Sequence, residues 1–155
     1  MFKKRESIFE VEEGKLLAPK FDSNGLIPVT TTDSSSGDLL MHGYMNEEAL
    51  KKTIETKEAH YWSRSRKALW HKGKTSGFVQ KVIELRIDDD QDALWMSVDI
   101  GNGACCHVGY KSCFYRSIPL GPIKKTEEVE LEFKEKSKKF DPEKVYEGQP
   151  NPTKL

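Results

Sequence analysis

The chain has 155 residues, with 25 Lys and Arg balanced by 25 Asp and Glu and 36% hydrophobic residues, enough for one domain whose core needs no disulfides. A formal net charge of zero argues against a chain-wide nucleic-acid or membrane surface, and no apolar run reaches the roughly 20 residues of a membrane helix. Met1-Phe2-Lys3-Lys4-Arg5 leads into acidic sequence rather than a signal-peptide core, and three cysteines within nine positions suit a reducing, cytoplasmic compartment better than a disulfide framework.

Residues 1–20 are mixed and charged, with Ile8, Phe9 and Val11 as a compact apolar group; they read as an arm or a small added strand. LIPVTTT at 26–32 is β-branched, Asp33-Ser34-Ser35-Ser36-Gly37 is a turn cluster, and 38–44 resumes extended sequence, which predicts a hairpin. Asn46 then caps a helix, with Glu47 and Glu48 at the positive end of its dipole and Ala49, Leu50, Thr53 and Ile54 at helical spacing, ending near Lys57. Residues 59–65 return to strand chemistry. In 78–87, Ile83, Leu85 and Ile87 alternate with Glu84 and Arg86 in a further strand, and 93–98 and 114–118 read as two more around a Gly101-Asn102-Gly103 turn. Val129, Leu131 and Phe133 alternate with glutamates and read as one more strand, and 134–155 is a lysine-rich, proline-punctuated tail expected to be extended or mobile. The fold class expected is a β-dominated α+β domain over 21–118 with one clear helix, an arm at 1–20 and a charged extension at 119–155.

Two stretches carry chemistry. Residues 88–116 open with Asp88, Asp89, Asp90 and Asp92 and close with Cys105, Cys106, His107 and Cys113. On extended backbone Asp88, Asp90 and Asp92 share one face while Asp89 and Gln91 look the other way. Carboxylates so arranged repel unless a hard cation such as Mg²⁺ joins them, whereas the thiols and the imidazole suit zinc. An acidic turn beside small buried cysteines is the plain structural alternative. Earlier in the chain, Ser63, Arg64, Ser65, Arg66, Lys74, Thr75, Ser76 and Gly77 combine charge, hydroxyls and open backbone, the groups a phosphate needs. The glycine and lysine spacing of a P-loop is absent. Trp70 lies among them and faces either a base or the core.

GYMNEEAL at 43–50, YWSRSRKALWHKGKTSG at 61–77, VQKV at 79–82, the acidic cluster and CHVGYKSCFYR at 106–116, in this order, closely resemble phosphoribosyl-AMP cyclohydrolase, an enzyme of histidine biosynthesis. The likeness runs from about 22 to 118. It implies an intertwined homodimer with active sites at the subunit interface, each with zinc and magnesium, and phosphoribosyl-AMP as substrate, without a role for nucleic acid or membrane. The family motif Asp-Cys-Asp-x-Asp places magnesium on Asp88, Asp90 and Asp92. Its zinc takes two cysteines from one subunit, here Cys106 and Cys113, and the motif cysteine from the other. At that last position this sequence has Asp89.

The substitution leaves three readings. Asp89 binds the metal through oxygen, which keeps the ligand charge and lowers the preference for zinc over Mn²⁺, Fe²⁺ or Co²⁺. Alternatively, Cys105 turns in as the missing thiolate, aided by the preceding glycines. Or the site is damaged, and the chain is a non-catalytic metal- or RNA-binding protein on the same scaffold. His107, beside Cys106 and able to titrate near neutral pH, is the expected general base.

Overall fold

The computed structural model describes residues 1–155. The β-branched run and its serine-rich turn form the expected hairpin, β1 (Ile27–Asp33) against β2 (Leu39–Met45), antiparallel from Ile27↔Met45 to Thr32↔Leu39. Alternation along β1 buries Ile27, Val29, Thr31 and Asp33 on one face. α2 (Glu47–Thr56) follows α1 (Ile8–Glu12) in the chain. Asn46 Oδ1 caps α2 by accepting from Ala49 N–H at 2.9 Å, and Lys57 ends it in a left-handed conformation, φ 58°, with its N–H on Thr53 O.

β3 (His60–Ser63) pairs antiparallel with β4 (Ala68–His71), a strand that the basic residues around it hide in the sequence. β5 (Lys81–Ile87) and β6 (Leu94–Asp99) complete a four-stranded sheet in the order β2-β1-β6-β5, in which only β1 and β6 run parallel. α2 and β3 pack against β2. The core between these layers holds Ile27, Val29, Leu40, Met45, Leu50, Tyr61, Met96 and Val98. Gly43 is required here: a Cβ on it would stand 2.8 Å from the ring of Tyr61. The protein is thus mixed α and β with sheet dominant, and α2 is the longest of three helices.

Three expectations are corrected. The alternation of Ile83, Leu85 and Ile87 is broken by a register shift between Val82 and Glu84, which leaves Ile83 64% exposed and brings Val82 in with Leu85 and Ile87. One extra residue in a strand reverses the phase of the side chains before it. The arm forms α1 rather than a strand, capped by the Ser7 hydroxyl, and buries Val11 and Ala18. β7 (Arg116–Ser117) pairs with β8 (Glu132–Phe133) where the sequence reads as extended, but the tail after them does not run away from the domain, and α3 (Pro142–Val145) forms in it. Lys139 N–H donates to Gly109 O at 2.6 Å, and Phe140 packs on Phe78 with centroids 5.2 Å apart.

Lys111 joins the β1–β2 turn to the cysteine loop. Its ammonium lies 2.9 Å from Asp33 and 2.7 Å from Asp38. Burial alone raises the Asp33 pKa, but Lys111, the Ser35 N–H and the Ser35 and Ser36 hydroxyls outweigh it and hold the carboxyl at about 2. A carboxyl depressed on folding adds stability above its ordinary value near 3.8, lost as pH falls toward about 2. Lys111→Met is therefore expected to lower stability by about 2 kcal/mol at pH 7. Urea titrations of both proteins should show that gap shrinking between about pH 4 and pH 2.

Candidate active site

The aspartates lie in the β5–β6 connection, and this connection is a turn, so the alternating faces expected of an extended strand do not arise. Asp88 Oδ1 accepts the amides of Asp92 and Ala93, each at 2.9 Å, and Gln91 adopts φ 58°. Short polar side chains compete for backbone in this way and bend it. One carboxylate oxygen from each of Asp88, Asp89 and Asp90 lies within 4.8 Å of the others. Asp92 stands beside Asp90, and Lys20 approaches both at 3.3 Å and 3.8 Å. The Asp90 pKa is raised, first by lost hydration and then by repulsion from Asp92 and Asp88, with Lys20 opposing. Clustered hard oxygens whose repulsion Lys20 relieves only in part fit Mg²⁺.

Within residues 105–113 the backbone folds back on itself, with Cys105 N–H on Lys111 O at 2.8 Å and Cys106 N–H on Tyr110 O at 3.1 Å. This fold brings the Cys113 thiol against those of both Cys105 and Cys106, although the three sulfurs do not all lie within 4.8 Å of one another. Contact with Cys113 lowers the Cys105 pKa against its burial, helped by Lys72 and Gln80. Contact with Cys113 and burial push Cys106 up against Lys72, and contact with Cys105 pushes Cys113 up to about 12. Soft donors that share protons in this way fit zinc.

Three residues missed in the sequence hold this cluster. Gln80, fully buried, donates to Cys105 Sγ at 3.2 Å and accepts from the Tyr61 hydroxyl at 2.7 Å, which also meets Thr31 Oγ1 at 2.7 Å. Lys72, 5% exposed, donates to Cys105 O at 2.5 Å and lies 4.9 Å from the Trp70 ring centroid. Glu135 accepts the Lys111 and Ser112 amides at 2.8 and 2.9 Å. Lys72 lies in the basic stretch and Gln80 in VQKV, but nothing in either stretch marks a residue that reaches the cysteines. His107 contacts Asn151 through its side chain, and its Nε2 is buried with no partner. Burial, then the charge of Lys72, lowers its pKa, which keeps the ring neutral.

The carboxylates and thiols do not meet within one chain. The aspartates precede Leu94, which pairs with Val29, whereas Lys111 ties the cysteine loop to Asp33, which pairs with Val98. The thiols themselves stand nearer mid-strand, where Cys113 N–H donates to Leu40 O at 2.7 Å and Gln80 links Cys105 through Tyr61 to Thr31. The basic candidates lie on the β3–β4 turn and beyond β4. Arg64 sits 4.1 Å over the Tyr44 ring, and Arg66 donates to Ser63 Oγ at 3.1 Å and lies 5.5 Å from Trp70. Ser65, Lys74, Thr75 and Gly77 are exposed and Ser76 is half-buried. Arg64, Arg66 and Lys74 form no ion pair with a carboxylate.

The family model for phosphoribosyl-AMP cyclohydrolase matches residues 41–115, which contain the β3–β4 hairpin, the aspartate turn and all three cysteines. A phosphoribosyl-AMP cyclohydrolase of Rhodopseudomonas palustris (strain TIE-1) is 53% identical over 137 residues, 88% of this chain and 89% of that protein. The chain belongs to the phosphoribosyl-AMP cyclohydrolase family. The enzyme of that name from Nitrobacter winogradskyi is 49% identical over 91% of this chain and 94% of its own length, and that from Brucella canis 59% identical over 70% and 78%. The likeness to other cyclohydrolases therefore extends well beyond the 22–118 span that carries the motifs.

Gly73 closes the basic loop against the chain after it. It is buried at φ +89°, and a Cβ there would collide with the backbone of Phe78 and Val79, whereas Gly77, at φ +80°, has open space around it. Gly77→Ala is expected to cost about 1 kcal/mol of backbone strain alone. Gly73→Ala should cost more than about 2 kcal/mol and displace Lys72. Thermal unfolding of the two variants checks the contrast.

Proposed function

We propose that the chain is a metal-dependent phosphoribosyl-AMP cyclohydrolase of histidine biosynthesis, which adds water at C6 of the N1-substituted adenine and breaks the N1–C6 bond. The observation that carries the reading is the cysteine cluster beside a histidine whose buried Nε2 has no partner. Zinc, when bound, supplies activated water at neutral pH, and magnesium screens substrate phosphate charge. Cys105, Cys106 and Cys113 would hold the zinc, and Asp88, Asp90 and Asp92, joined by Asp89, the magnesium. Cys105 is favoured over Asp89 as the third zinc ligand because its sulfur lies against Cys113 and is held by Gln80, whereas Asp89 clusters with Asp88 and Asp90.

His107 accepts a proton from the attacking water at Nε2. The tetrahedral carbon at C6 then collapses: the hydroxyl proton passes to the exocyclic nitrogen, the C6–N1 bond breaks, and N1 takes the proton held by His107, leaving a carboxamide and a formimino group. Arg64, Arg66, Ser65 and the loop from Lys74 to Gly77 take the two phosphates, with Lys72 and Trp70 forming the floor between them and the thiols. A homodimer brings the aspartate turn of one subunit to the thiols of the other. Two features support it: their separation within one chain, and the exposure of Ile83, Phe114 and Ile118, apolar surface that a partner would cover.

Turnover of phosphoribosyl-AMP by the zinc- and magnesium-loaded protein tests the reading. No turnover, together with salt-sensitive RNA binding, would replace it with the non-catalytic alternative, and full activity in a monomer at high dilution would remove the dimer. His107→Ala should lower kcat about 10²–10⁴-fold. Elemental analysis separates the zinc ligands: Cys105→Ser is expected to lose zinc and Asp89→Asn to retain it, the reverse result assigning the metal to Asp89. Asp89→Cys should leave zinc affinity nearly unchanged.

A further inference from the structure

The residue between the last two aspartates is the one most tightly held. Gln91 is 5% exposed and in the left-handed region at φ 58°. Its Oε1 accepts the Ala18 amide at 2.8 Å, and its Nε2 donates to Val11 O at 2.9 Å. Its backbone carbonyl accepts from Lys20 N–H at 2.7 Å, and its own N–H donates to Asp88 O at 3.2 Å. A second tie runs beside it: the Arg5 guanidinium donates to Ala18 O at 2.8 Å and to Asp90 O at 2.7 Å. Val11, Ala18, Lys20 and Arg5 all belong to the N-terminal arm, outside the segment the family model matches.

We infer that Gln91 is a positioning residue whose grip by the arm holds the aspartate turn in its cation-binding shape, so that the arm is part of the magnesium site. The physical case is one of repulsion. Four carboxylates within five residues drive the turn open, and a left-handed non-glycine residue at its apex adds strain. Buried hydrogen bonds from the arm offset both, and they act on backbone and on a residue that carries no charge. Lys20 is different. Its ammonium, over half exposed, lies on Asp90 and Asp92 and competes with a bound cation rather than shaping the turn.

The inference rests on the magnesium reading above, and Mn²⁺ binding to the full-length protein, followed by electron paramagnetic resonance, tests the two separately. Gln91→Gly keeps the left-handed backbone free and removes the grip. Arg5→Met removes the second tie and leaves the turn sequence intact. Each is expected to weaken Mn²⁺ binding about 10–100-fold with zinc content unchanged, while Lys20→Met binds Mn²⁺ at least as tightly as the wild type. Mn²⁺ affinity within twofold of wild type in Arg5→Met, even with a lowered melting temperature, overturns the positioning role, as does an equal loss in Lys20→Met. Failure of the wild type itself to bind Mn²⁺ overturns the magnesium reading and this inference with it.

Discussion

A buried chain of hydrogen bonds from Thr31 through the Tyr61 hydroxyl and Gln80 to the Cys105 sulfur connects the sheet to its chemistry. Each member lacks water to turn to, so each must be satisfied by the next, and a fully satisfied buried network admits few alternative packings. The network explains several choices at once. Gly43 is needed because Tyr61 lies across β2, and Gln80 rather than an apolar residue follows the basic loop because it has both a hydroxyl and a sulfur to serve. Lys72 completes the arrangement. Its buried ammonium has the Cys105 carbonyl on one side and the Trp70 ring on the other, which ties the basic loop to the cysteine loop.

The parallel pairing of β1 with β6 imposes the second constraint. It sends the aspartate turn to one end of the sheet and, through Lys111 and Asp33, the cysteine loop to the other. Each end is then braced by a terminal segment: the arm grips Gln91 and Asp90, and the tail places Glu135 on the amides of Lys111 and Ser112 and Asn151 on His107. The termini thus serve as the walls of the two metal-binding candidates.

Elements with strong local chemistry were legible. The hairpin at 26–44 announced itself by β-branched residues and a turn cluster, and α2 by Asn46, two glutamates and helical spacing. β4 was not, because four residues among lysines and arginines carry no period. The β5 bulge at Ile83 was not either, since the pairing with β6 decides the phase and a clean alternation in the sequence conceals it. Of the candidate site, the carboxylates, thiols and basic groups were legible as residue types. Their bracing by Lys72, Gln80, Gln91 and Glu135 was not, because each acts through a contact distant in sequence that its neighbours do not record.

What the sequence by itself determined is the chemistry on offer: four carboxylates for a hard cation, three thiols and an imidazole for a soft one, and basic and hydroxyl groups for phosphate. Those properties belong to side-chain identity and survive without coordinates. The tertiary structure decided which donors stand together. It put Cys105 beside Cys113 although neighbouring residues in a strand point apart, because the loop folds back through Lys111 and Tyr110. It also set the arm on the aspartate turn through bonds between residues 73 and 85 positions apart. Contacts at such separation depend on how the whole chain closes, and no local pattern records them.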